Sequence, residues 1–254
     1  MAGWFSQRIV ETGRLPLFCF FAGMLVGFGF IRFSVRMIRA NVRWWPGNVT
    51  PGGLHVHHVV FGVVFMILSG IAILAIPDEL VGWRAIAATW FGVGTALVLD
   101  EFALILHLED VYWTEQGRTS IDALFAVVAV TGLLLLGVHP FLVEDFQPVV
   151  NGEPAAWWWA IPPLLLSLGF AAITVLKGKI WTGLLGFFLP LLLIVGAIRL
   201  ARPASPWARW RYRPGRRRGA EKLARARRRE FRLRTPVVRA KDWFQDLIAG
   251  SPDR

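Results

Sequence analysis

Six long apolar runs, separated by short polar or Pro/Gly-containing stretches, are the feature that most constrains this chain. They cover residues 15–31, 54–76, 83–108, 121–141, 157–176 and 180–200. A helix of about 20 apolar residues reaches across the ~30 Å hydrocarbon layer of a bilayer. Runs of this length in such number predict an all-α, polytopic transmembrane helical bundle of about six spanning helices. Only 18% of residues are charged, against roughly 25% in soluble domains. The expected location is the cell membrane, multi-pass. The first run is expected to remain as a span, because no small-residue cleavage site follows it.

Charge divides the chain in two. From Arg199 onward there are 18 Lys/Arg and 5 Asp/Glu; the remainder holds 10 and 12. Residues 1–202 therefore read as a near-neutral membrane domain, and 203–254 as a basic, partly helical tail. Arg216, Arg217, Arg218, Arg227, Arg228 and Arg229 form its densest clusters. Basic residues next to a membrane helix are drawn to anionic headgroups, so membrane lipids are the expected partner, ahead of nucleic acid. A tail of this charge is expected to stay cytoplasmic. Six crossings then bring the amino terminus to the cytoplasm as well. The same count leaves Lys177, Lys179 and the arginines at 32–43 on the outside, which is the wrong sign for that rule.

Those arginines, Arg32, Arg36, Arg39 and Arg43, follow the first run at near-helical spacing. Snorkelling at the interface is the plain expectation, and contact with lipid headgroups or other phosphates the sharper one. Trp44 and Trp45 suit the headgroup level. Within the first run, Gly23 and Gly27 make a small-xxx-small pair that lets another helix approach. The single cysteine, Cys19, excludes an intrachain disulfide and any multi-cysteine metal site.

The chemistry-bearing residues concentrate around the second and third runs. His55, His57 and His58 open the second; Asp100, Glu101 and His107 lie near the end of the third, with Glu109 and Asp110 just after. Antiparallel neighbours joined by a short loop bring the start of one helix beside the end of the next, so the two clusters are expected to meet. Ionisable groups inside a membrane are costly and usually mark a site. In one reading His55, His57, His58, Asp100 and His107 ligate zinc, iron or manganese. Glu101 and Asp110 then serve as catalytic carboxylates acting on a lipid or lipid-linked substrate. In another, Asp100, Glu101 and His107 form a proton or ion path of a coupled transporter. In a third the groups satisfy one another and fix helix register, and the protein recruits partners through its basic tail. These readings include an enzyme and non-enzymes alike. Thr119 and Asp122 match a capping box at the start of the fourth helix.

The segments HVHHVVFG, FGVGTALVLDEFALIL, EDVYW and SID, within residues 54–125, resemble a family of uncharacterised polytopic prokaryotic membrane proteins. The resemblance implies that His55, His57, His58, Asp100, Glu101, Asp110, Tyr112, Trp113 and Asp122 act as one unit. It implies no substrate.

Overall fold

A computed structural model describes residues 2–46, 57–107, 118–140, 156–212 and 218–249. All secondary structure among them is helical. Four helices are long and apolar enough to cross a membrane: α2 Leu15–Arg39, α3 His58–Ala75, α4 Val81–Asp100 and α6 Arg118–Leu135. A short amino-terminal helix, α1 Ala2–Phe5, precedes them, and α5 Phe102–His107 follows α4. Then come α7 Ala156–Leu176, α8 Ile180–Gly186, α9 Pro190–Ile198, α10 Pro206–Arg211, α11 Gly219–Arg229 and α12 Thr235–Ala249. The chain forms two compact units, residues 1–135 with 244–254, and residues 136–243.

In the first unit α4 packs between α2 and α3. Its sequence makes this possible, because Gly92 and Gly94 fall on opposite faces of the helix. A Cβ on Gly92 would strike the Phe20 carbonyl of α2, and one on Gly23 of α2 would strike the Thr89 carbonyl of α4. On the other face a Cβ on Gly94 would lie 2.8 Å from the Gly62 carbonyl of α3. Small residues thus let backbones touch, as they do where helices associate without a hydrophobic driving force. Met24, Phe28, Ile31, Ala96 and Leu124 form the buried core beside these seams. The outward faces are apolar: Val26, Phe30, Ile67, Leu68, Ile71 and Leu74 are all exposed. An apolar exterior around a core holding charged groups is what lipid, rather than water, demands of a surface.

Several expected helices change at their ends: the first run continues as helix to Arg39, and the fourth spans Arg118–Leu135. The third run does not continue as one helix to 108: α4 stops at Asp100, and Glu101 leaves helical geometry at φ −103°, ψ 20°. The amide N–H of Ala103 that this break frees is taken up by the Ser120 hydroxyl of α6 at 2.9 Å. The run at 157–176 forms α7 within one residue of its expected ends, with Pro162 and Pro163 inside the helix.

The sixth expected span is the clearest departure. Residues 180–200 form two helices of seven and nine residues, which reach only about 11 and 14 Å at 1.5 Å per residue. Neither crosses a membrane. The chain turns at Phe187–Leu189 and α9 returns antiparallel along α8: Gly186 lies against Leu193, and Gly196 against Thr182 and Thr174. The physical cause is Pro190, whose ring cannot continue a helix begun upstream but suits the first turn of a new one. The hairpin ends where it began. The Lys179 ammonium donates to the carbonyls of Gly196 at 2.7 Å and Arg199 at 3.1 Å. The Lys177 ammonium donates to the carbonyls of Ala197 and Arg199. Two cations therefore cap the carboxyl end of α9, where the helix dipole favours positive charge. Lys177, Lys179 and the start of the basic segment lie at one end of this unit, not at opposite ends.

Candidate functional site: a buried Arg, His and carboxylate network

The network is built where α3 begins, α4 ends and α2 passes by. His57 is the extended residue before α3, and its own side chain does not cap that helix. Glu101 does so from across the bundle: its Oε2 accepts the Val59 N–H at 2.7 Å. A carboxylate at a helix amino terminus satisfies an orphan donor and meets the positive end of the dipole. The break after Asp100 matters here, because it turns Glu101 toward α3.

Both histidines are held by carboxylates. His57 Nδ1 and Glu101 Oε1 are 2.8 Å apart, and His58 Nε2 and Asp100 Oδ2 are 3.1 Å apart. An ionised carboxylate can only accept, so each of these ring nitrogens carries the proton. His58 Nδ1 also lies 3.5 Å from Glu101 Oε1. Asp100 is wholly buried, and Arg32 of α2 pairs with its Oδ1 at 2.6 Å. The guanidinium also stacks 5.1 Å above the Phe28 ring. The result is a continuous chain from half-buried His57 through Glu101 and His58 to Asp100 and Arg32.

The structure thus brings together four of the expected site residues, His57, His58, Asp100 and Glu101. His55, Glu109, Asp110, Tyr112 and Trp113 lie outside the described residues. His107 sits at the end of α5 and is exposed; the break at Glu101 removes the helical spacing that would have set it above Asp100. Asp122 does not close a capping box, since Thr119 already lies within α6; its carboxylate accepts from the Gln245 amide at 2.9 Å. Among the described residues no three His, Cys, Asp or Glu are placed to hold a metal ion.

Arg32 is the residue that sequence reasoning placed elsewhere. It is buried, at 8% exposed, and its guanidinium pairs with Asp100. Arg36, Arg39 and Arg43 are exposed, as an interfacial role requires. A signal separating them was present. Met24, Phe28 and Arg32 are spaced by four and form one row, and that row adjoins the Gly23 and Gly27 seam. In the tail, Arg227 and Arg228 are exposed and Arg229 is half-buried. Arg218 is the residue before α11, and Arg216 and Arg217 lie outside the described residues.

The fold and site together define a class: a helical bundle with apolar helices of membrane-spanning length and a buried ion-paired Arg, His and carboxylate network. Comparison with protein-family models, with curated proteins and with solved structures finds no match.

Proposed function

We propose that this is an integral membrane protein whose buried network serves as a proton relay, coupled to movement of a small solute or ion. The supporting observation is the close-set chain His57, Glu101, His58, Asp100, Arg32, in which the Glu101–His58 step is a 3.5 Å ion-pair contact and the other steps span 2.6–3.1 Å, with its outer end half-exposed and its inner end buried. Each histidine and carboxylate in it can both take and give a proton. Ionised, Arg32, Asp100 and Glu101 leave one negative charge over, and one added proton on the imidazoles balances the set. Asp/Glu/His chains inside membrane helices are used in this way. The test is proton flux into vesicles containing purified protein, driven by an imposed potential. Flux above that of protein-free vesicles is expected, and none from well-folded protein would overturn the reading.

A five-crossing topology accompanies this proposal. Counted along the chain, α2, α3, α4, α6 and α7 cross, and the α8–α9 hairpin enters and returns. With the basic tail cytoplasmic, Lys177, Lys179, Arg36, Arg39 and Arg43 become cytoplasmic too. The acidic residues Asp78 and Glu79 fall outside. The five basic residues named then obey the positive-inside bias, which six crossings violate for them, while Arg8, Arg14 and Arg84 fall outside. The relay opens toward the cytoplasm, and the residues before α2 lie outside.

A metal-dependent membrane enzyme acting on a lipid or lipid-linked substrate is the second reading. What favours it is the gathering of two imidazoles and two carboxylates beside the sequence positions of His55 and Asp110. Elemental analysis of detergent-purified protein tests it. Zinc, iron or manganese lost in both His58→Ala and Asp100→Asn is the supporting result.

A further inference from the structure

The second unit contains a cavity of about 460 Å³ that the relay does not use. It lies where α8 starts and α9 ends, under α11 and the π-helical turn Glu230–Arg234 that links α11 to α12. Five cations line it: Lys179, Arg199, Arg202, Arg229 and Arg234. Among its lining residues the one carboxylate is Glu230, and that is already engaged by Arg234 at 2.9 Å. Apart from Thr182 the remaining wall is apolar, with Val195, Leu200, Leu233 and Val237. The cavity is therefore amphipathic, cationic on one side and greasy on the other.

Its charge is not balanced from within. Burial, reinforced by Lys177, Arg229, Arg199 and Arg202, pushes the Lys179 ammonium down to about 8. Burial and the neighbouring Arg234 lower Arg202 in the same direction, although Glu230 works against it. The carbonyls at the end of α9 offer partial negative charge to Lys179, but a helix end supplies only about half a charge. Like charges gathered in a partly desolvated space repel at a cost unless an anion joins them.

We infer that this cavity is a binding site for a phosphate-bearing anion, with the glycerol and acyl part of an anionic phospholipid as the preferred source. Guanidinium forks match phosphate oxygens bidentately. Basic pockets beside membrane helices hold anionic headgroups, and the apolar wall gives an acyl chain a place to lie. The site differs from the exposed tail arginines, because three of its cations come from the hairpin and the link that follows it.

The test is native mass spectrometry of the full-length protein in detergent, titrated separately with phosphatidylglycerol, phosphatidylcholine and inorganic phosphate. Phosphatidylglycerol is expected to bind in preference to phosphatidylcholine. Arg199→Gln with Arg202→Gln should weaken it about tenfold. Arg229→Gln, at a half-exposed position on α11, should weaken it as well, and it decides the matter if the double variant does not fold. Arg227→Gln with Arg228→Gln removes exposed charge from the same helix and should leave binding unchanged. Inorganic phosphate binding with the same variant dependence, and displacing the lipid, would keep the site and make soluble phosphate its source. Equal losses in the cavity and control variants would overturn the proposal. So would equal retention of both lipids without phosphate binding.

Discussion

The Arg32 guanidinium of α2 and the Asp100 carboxylate at the end of α4 meet at 2.6 Å, with both side chains buried. Removing one member of such a pair leaves an uncompensated charge, which costs about 3–5 kcal/mol. Arg32→Met is expected to destabilise the protein by that amount, whereas Arg36→Met, at an exposed site, changes little. Arg32→Met combined with Asp100→Leu should lose less than the sum of the two single losses, by a coupling of about 2 kcal/mol. Denaturation of wild type, Arg32→Met, Asp100→Leu and the double variant in one detergent measures it, with Arg36→Met as the control. Additive losses would show that the two residues do not depend on each other.

The glycine seams make a second prediction. Gly92→Leu would drive a side chain into the α2 backbone and should cost about 1–3 kcal/mol. Gly29, whose added Cβ would meet nothing within 4 Å, is the comparison. Gly29→Leu is expected to be near neutral or slightly stabilising by melting temperature.

The hairpin can be located by labelling. In a Cys19→Ser background, Lys179→Cys and Lys222→Cys should react with a membrane-impermeant maleimide from the same side, the cytoplasmic one. Glu79→Cys should react from the other. Reaction of Lys179→Cys and Lys222→Cys from opposite sides would restore a sixth crossing.

Lys179 gives a pH dependence. Its folded-state value of about 8 lies below the ~10.4 of a free lysine. Between about pH 8 and about pH 10 the unfolded chain holds more protons, so stability rises with pH there. Below about pH 8 the burial penalty on the ammonium is fully present. Lys179→Met removes this group and should flatten the rise, as melting temperature between about pH 7 and about pH 10 will show. Equal slopes would contradict the assignment.

Much of this architecture was legible because membrane helices announce themselves by length and apolarity. Residues 15–31, 54–76, 83–108 and 121–141 each mark a helix of spanning length in the structure, with ends shifted by up to eight residues. Antiparallel connectivity was enough to bring His57 and His58 beside Asp100 and Glu101. Three things were less visible. Arg32 looked interfacial, because its relation to Asp100 is a contact between helices far apart in sequence and only its row with Met24 and Phe28 hints at it. The turn at Glu101 is set by a cap on another helix, which no local propensity reports. Residues 180–200 have the composition of a span, and only Pro190 marks the reversal.

The measurement that tests the relay most directly is proton flux into vesicles holding wild type, Asp100→Asn, Glu101→Gln or Arg36→Gln at equal protein content. Asp100→Asn and Glu101→Gln each interrupt the chain at a different link, so both should fall to the level of empty vesicles, while Arg36→Gln keeps wild-type flux. Wild-type flux in folded Asp100→Asn and Glu101→Gln would mean that protons do not travel this way and that the network only fastens the helices.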